Sequence, residues 1–157
     1  MGYDIEVSEE MPQLVAATKV RTNLGRIGRD IGAGFGTIMQ ALGREGVVPF
    51  GPPLVIYHDM IEEHTEGDIE ICTPIDHAIT EVDGVYSTEL EGGSMAMTVH
   101  RGPYQEIGQA YQALMGWVPE HGYTFTGPPR EIYLNDPQEV SPADLLTKVE
   151  FPVALSP

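Results

Sequence analysis

A seven-residue pattern occurs twice in this chain. GPPLVIY begins at Gly51 and GPPREIY at Gly127, seventy-six residues later. The same offset, without gaps, pairs Thr22 with Thr98, Ile31 with Ile107, Gly32 with Gly108, Met39 with Met115 and Gly46 with Gly122. Conservative matches fill the register: Asp30 with Glu106, Phe35 with Tyr111, Ile38 with Leu114, Leu42 with Val118. One register held from Thr22 to Tyr57 reads as duplication. A chain of 157 residues is then one domain over 1–157 built from two repeats, about 1–80 and 81–157. The linker is expected near Ile79 to Gly84.

Each half follows one grammar. Leu14 to Thr22 and Ser94 to His100 are short and rich in β-branched and apolar residues, which predicts strands. Ile31, Phe35, Ile38 and Leu42 form a stripe at helical spacing, as do Ile107, Tyr111, Leu114, Trp117 and Val118. Helices are therefore expected over 27–44 and 104–120. Glycines at 28, 32, 34 and 36 each weaken the first helix by up to about 1 kcal/mol relative to alanine; the matched stripe outweighs them. Strands follow at Leu54 to His58 and Arg130 to Leu134, then at Asp68 to Ile75 and Thr147 to Val153. Two β-α-β-β units give an α+β fold with an antiparallel sheet, two helices packed on it, and a central ligand cleft at the pseudo-two-fold axis.

Composition narrows the function classes. Acidic residues number 24 against 8 basic ones, a formal charge of −16. Nucleic-acid binding relies on clustered Lys and Arg, so direct contact with DNA or RNA is not expected. The acidity is explained first by solubility, and otherwise by attraction for a cationic ligand or a basic protein partner. No apolar run is long enough to span a membrane, and the acidic N-terminus MGYDIEVSEEM has no apolar signal core. The single cysteine, Cys72, forms no intramolecular disulfide, and the expected location is the cytoplasm.

The duplication isolates Glu131. Its counterpart at the same offset is Val55, in the apolar run Leu-Val-Ile-Tyr, so one repeat places a carboxylate where the other places valine. Strand alternation puts Glu131 and Tyr133 on one face and Arg130, Ile132 and Leu134 on the other. If Ile132 and Leu134 pack under the helices, Glu131 and Tyr133 face the cleft. A carboxylate there is costly unless partnered, desolvation raises its pKa, and such groups concentrate where a ligand or reaction uses them. The alternative is an exposed edge-strand glutamate, or one paired with a cation near Arg130. Val55, Tyr57, Tyr104, Tyr111, Trp117 and Tyr133, with Met95 and Met97, are the expected ligand-binding walls around Glu131. Tyr111 and Trp117, on the helix stripe, are the ones most readily explained as core.

Other chemistries find little support. Thr37 stands where a dinucleotide fingerprint beginning at Gly32 needs glycine, and no phosphate-binding loop is present. HDMIEEH at 58–64 gathers His58, Asp59, Glu62, Glu63 and His64, but it is not HExxH and falls in a hairpin loop. No metal and no cofactor are expected. Cys72 reads as packing. Ser87 and Ser94 lack a nucleophile-elbow pattern, and His100 at a strand end reads as structural.

The repeat plan, HRGPY at 100–104 leading into a helix, Trp117, and above all GPPREIYLNDP at 127–137 resemble the GyrI-like effector-binding domain of AraC-type transcription regulators. The resemblance runs from about Leu14 to Val153, and the Glu-x-Tyr strand followed by Asn-Asp-Pro is its most specific element. It implies a duplicated β-α-β-β fold, a hydrophobic cleft and a buried glutamate at position 131. In multidrug-sensing regulators of that family the matching glutamate faces cationic aromatic ligands. Some free-standing members resemble hydrolases of cyclopropane-bearing natural products, with that glutamate as base, and one member binds DNA gyrase. The regulators also carry a helix-turn-helix segment, which this sequence does not show. The Gly-rich first helix and the acidity depart from the family pattern.

Three readings follow. The first is a stand-alone protein that binds a hydrophobic, aromatic or cationic small molecule around Glu131. The second is a hydrolase in which Glu131 activates water and a tyrosine such as Tyr104 or Tyr133 donates a proton. The third is a gyrase-inhibitor-like module that meets a protein partner through its acidic surface. The first two share every residue.

Overall fold

The computed structural model describes residues 2–157. In chain order the elements are β1 (Glu6–Glu10), β2 (Gln13–Thr22), α1 (Ile27–Glu45), β3 (Leu54–Tyr57), β4 (Gly67–Pro74), β5 (Tyr86–Leu90), β6 (Gly93–Arg101), α2 (Gly108–Glu120), β7 (Tyr123–Phe125), β8 (Arg130–Tyr133) and β9 (Leu146–Leu155). A 3-10 turn at Tyr104–Glu106 leads into α2. The fold is α+β, and the strand pairs within each of its two units are antiparallel, as expected. The chain divides into two compact units: Pro12–Glu91, and residues 2–11 with Gly92–Pro157.

In the Pro12–Glu91 unit, β4 pairs with β3 on one side and β2 on the other, and β2 also pairs with β5. Helix α1 packs its stripe of Gly34, Ile38, Ala41 and Leu42 inward. Gly34 is required by proximity: a Cβ there would stand 2.2 Å from Ile71 Cδ1, and Ile71 is fully buried. By contrast Gly28, Gly32 and Gly36 have nothing within 4 Å, so their space is open. Helix α1 forms despite them because its apolar stripe is buried against the sheet.

In the other unit, β9 is central. It pairs with β6 over Met95–Arg101, with β8 over Arg130–Tyr133, and with β7 over Tyr123–Phe125. The N-terminal strand β1 adds to the outer side of β6. Helix α2 buries Ala110, Leu114 and Val118 at four-residue spacing against Ala96, Val149 and Val153. The matched glycines Gly46 and Gly122 follow the two helices, each left-handed, at φ 68° and 82°. That conformation closes a helix end at little cost only for glycine, which explains why this pair recurs in both repeats.

Strands β1, β5 and β7 go beyond the sequence expectation. β1 runs directly into β2 yet pairs with β6, and β5 runs into β6 yet pairs with β2. Such exchange leaves no local pattern, because a strand's partner is set by the sheet rather than by its neighbour in sequence. The second expected helix also begins later, with Tyr104 in the 3-10 turn.

Candidate ligand-binding site

Antiparallel partners share a face of the sheet. Glu131 lies opposite Val149, and Tyr133 opposite Thr147. Val149 belongs to the core under α2. The Glu131–Tyr133 row therefore lies on the helix-bearing face. This corrects the supposition that Ile132 and Leu134 pack beneath the helix: Ile132 pairs with Lys148 on the opposite face, and Leu134 is 42% exposed. The alternation itself holds; which side of it meets the helix is reversed.

Glu131 is 8% exposed. Tyr111 Oη donates to its Oε2 at 2.6 Å, and Tyr133 Oη donates to its Oε1 at 3.2 Å. Charge-assisted bonds of the shorter kind are about twice as strong as neutral ones, and they offset part of the cost of holding a carboxylate out of water. Helix α2 supplies the first phenol, and β8 supplies both the carboxylate and the second phenol two residues on. From the 3-10 turn, Tyr104 stacks edge-on against Tyr133, with ring centres 5.8 Å apart. Burial pushes the Tyr104 phenol above its usual range, and the charges of Asp136 and Glu131 push it further.

Tyr111, which the helix stripe assigned most readily to the core, does both jobs. It packs against the α2 cluster and its hydroxyl binds the carboxylate. A signal for this was present: Phe35, its counterpart, lacks the hydroxyl just where Val55, the counterpart of Glu131, lacks the acceptor.

Met95 and Met97 stand elsewhere. Met97 pairs with Glu150, and Met95 with Pro152, whereas Thr98 and Glu131 both oppose Val149. Parity therefore puts Met95 and Met97 on the face away from Glu131, which corrects their assignment as its neighbours. Met97 instead lines a surface groove of about 640 Å³ with Tyr3, Val99, Arg101 and Lys148. Trp117 sits toward the end of α2, stacked on His121 at 3.9 Å and roughly parallel to Tyr123 at 6.3 Å. It anchors β7 rather than the carboxylate. Val55 and Tyr57 belong to the Pro12–Glu91 unit, where Val55 pairs with Ile71 on the α1 face and is fully buried.

Two more buried carboxylates escaped sequence reasoning. Glu70, 8% exposed, accepts from Tyr86 Oη at 2.5 Å and contacts His58 Nε2 at 2.9 Å. Glu150, 5% exposed, has Arg130 and Lys148 each 3.8 Å away, and among the described residues its Oε2 has no hydrogen-bond partner. Burial raises the Glu150 pKa against the lowering pull of those two cations. The signal was a lone charge within an apolar strand run, as in Ile69-Glu70-Ile71 and Val149-Glu150-Phe151. His58 apart, the HDMIEEH residues form no cluster: among the described residues no group of three or more His, Cys, Asp or Glu is placed to hold a metal ion. Cys72 is buried, and His100 is buried between Tyr3 Oη at 2.9 Å and the Pro103 carbonyl at 3.1 Å, a structural role. No helix among the described residues is long and apolar enough to cross a membrane.

Solved structures share this architecture. The C-terminal domain of EcmrR superposes with a TM-score of 0.85 at 22% identity, covering 99% of each chain. EcmrR in its DNA complex gives 0.86 at 22% identity, with 98% of this chain covered; the match spans 58% of that longer chain. A hydrolase encoded by lin2189 from Listeria innocua gives 0.72 at 13% identity, over 98% of this chain and 93% of that one. SAV2435, solved bound to tetraphenylphosphonium, gives 0.60 at 13% identity, over 98% and 94%. At these identities the likeness establishes fold. No curated protein sequence matches the chain. The family model of the GyrI-like small molecule binding domain matches residues 3–154, nearly the whole chain. The protein belongs to the GyrI-like small-molecule-binding family.

Proposed function

We infer that the protein binds a lipophilic aromatic cation, with the Glu131 carboxylate as counter-charge and Tyr104, Tyr111 and Tyr133 as its walls. One observation carries this reading: a buried carboxylate held by two phenols on the helix-bearing face. A carboxylate so placed lacks the hydration it would have in water. A cation that carries little hydration of its own can meet it at small desolvation cost, while the tyrosine rings attract that cation through their faces. The relative solved with tetraphenylphosphonium supports this ligand class. As a free-standing unit the protein would sequester or sense such molecules; joined to a DNA-binding partner, as in EcmrR, ligand occupancy would report to a regulator.

A second reading has its own observation. Tyr104 carries a phenol on a ring that contacts Tyr133 beside Glu131, which places a proton donor near the carboxylate. With Glu131 taking a proton from water, the water oxygen bonds to one carbon of a strained electrophile such as a cyclopropane while the ring C–C bond breaks; the other ring carbon takes the Tyr104 proton, and the proton on Glu131 passes back to the Tyr104 phenolate. The fold likeness to the Listeria hydrolase accords with it.

A thermal-shift screen of wild type and Glu131→Gln against neutral and cationic aromatic compounds, with mass spectrometry of the mixtures, separates these. Stabilisation by cations alone, lost in the variant and without new products, supports binding. Product formation abolished in the variant supports hydrolysis. No shift and no product with any compound overturns both, and the weight moves to a protein partner for the acidic surface.

A further inference from the structure

The aromatic surroundings of Glu131 extend on a side that the walls named so far do not include. β7 and β8 pair with successive stretches of the same strand, β9. Phe125 opposes Val153, and Phe151 lies two residues from Val153 and from Val149 on the same face. Their side chains therefore share the helix-bearing face with Glu131. The rings touch in series: Phe125 meets Phe151 at 4.9 Å, and Phe151 meets Tyr111 edge-on at 5.9 Å. Tyr111 then donates to Glu131, Tyr133 donates from the other side, and Tyr133 meets Tyr104. The carboxylate thus sits within one continuous aromatic band whose two ends reach the surface, Phe125 at 39% exposure and Tyr104 at 36%.

We propose that Phe125 and Phe151 form a second aromatic subsite, across Glu131 from Tyr104 and Tyr133, that selects cations bearing two or more aryl arms. This rests on the cation-binding reading of Glu131. A single charged centre near the carboxylate lets one arm lie on the Tyr104–Tyr133 end while another lies on the Phe125–Phe151 end. Aryl groups gain from edge and offset contacts with such rings, and each contact adds to the charge interaction. A cation with one ring can use only one end. The band therefore sets a preference by number of arms, while Glu131 sets the preference for positive charge.

Calorimetric titration of the full chain with tetraphenylphosphonium and with phenyltrimethylammonium, at one ionic strength, tests this. Wild type should favour the four-armed cation, and Phe125→Ala should cut the ratio of the two affinities about fivefold or more. Phe125→Leu, which keeps the apolar bulk of the edge strand, guards against a folding defect and should give an intermediate ratio. Melting temperatures check that both variants are folded. An unchanged ratio in both variants, with tetraphenylphosphonium still bound and still dependent on Glu131, overturns the subsite and leaves the cation reading standing. Failure of wild type to bind either cation overturns both.

Discussion

Positions 55 and 131 do the same structural job in the two repeats with opposite chemistry. Each lies on a four-residue strand after a Gly-Pro-Pro turn, on the face its own helix covers. Val55 is fully buried in an apolar core, and its helix counterpart to Tyr111 is Phe35. Glu131 is buried too, but a tyrosine from the helix reaches it. Carboxylate and hydroxyl are both present in one repeat and both missing from the other, while Tyr57 and Tyr133 are common to both. One half of the duplication shows what the position needs for folding, and the other shows what was added to it. The second repeat holds a polar pair where the first folds with apolar residues, which supports the proposal that the pair serves ligand recognition.

The comparison breaks most forcefully by exchange. Val55→Glu places a carboxylate in a core without the Tyr111 donor, and should cost at least about 3 kcal/mol. Denaturant unfolding monitored by circular dichroism would show it; a loss under about 1 kcal/mol would mean that the first repeat already accommodates charge. Tyr111→Phe makes the second repeat resemble the first on the helix side only. Removing one bond to a charged group should cost about 1.5–3 kcal/mol, with a loss of cation affinity in the same titrations. A stability identical to wild type would show the bond to be incidental.

A third test concerns Glu150, the buried carboxylate on the opposite face. Its folded pKa lies above the unfolded value, so the native state binds the proton more tightly. Stability is therefore highest below the unfolded carboxylate range and falls as pH rises through the folded pKa, after which this contribution is flat. Glu150→Gln should remove that fall relative to wild type in unfolding measured across mildly acidic pH; a difference curve without slope there contradicts the assignment. The smallest effect lies in α1. Gly32→Ala, in open space, should stabilise by up to about 1 kcal/mol. Gly34→Ala must displace Ile71 and should gain less or lose, and equal gains at both would mean that Ile71 moves freely.

Much of the fold was legible because duplication gives each weak signal a second witness. The Gly-rich α1 is credible through its better-formed counterpart, and Gly46 and Gly122, matched only as an offset pair in the sequence, follow the two helices in the structure. What stayed hidden was non-local. The exchange of β1 and β5 between partners leaves no trace in periodicity. Neither does the side of β8 that meets α2, since alternation fixes which residues share a face but not what covers it. At the site, Glu131 stood out against Val55, and Tyr133 and Tyr104 were found with it. Tyr111 is among the expected walls but, as a tyrosine on an apolar stripe, reads most readily as core, which it partly is. Met95 and Met97 were misplaced by one strand parity. Phe125 and Phe151 carried no polar signature at all.

In the proposed function the Glu131 carboxylate recognises a cation. Calorimetric titration of tetraphenylphosphonium into wild type and Glu131→Gln tests it most directly, since glutamine keeps the size and removes the charge. Wild type should bind that cation, with an affinity at least about tenfold weaker in the variant, a difference of about 1.4 kcal/mol or more. Equal affinities for the two proteins would contradict it.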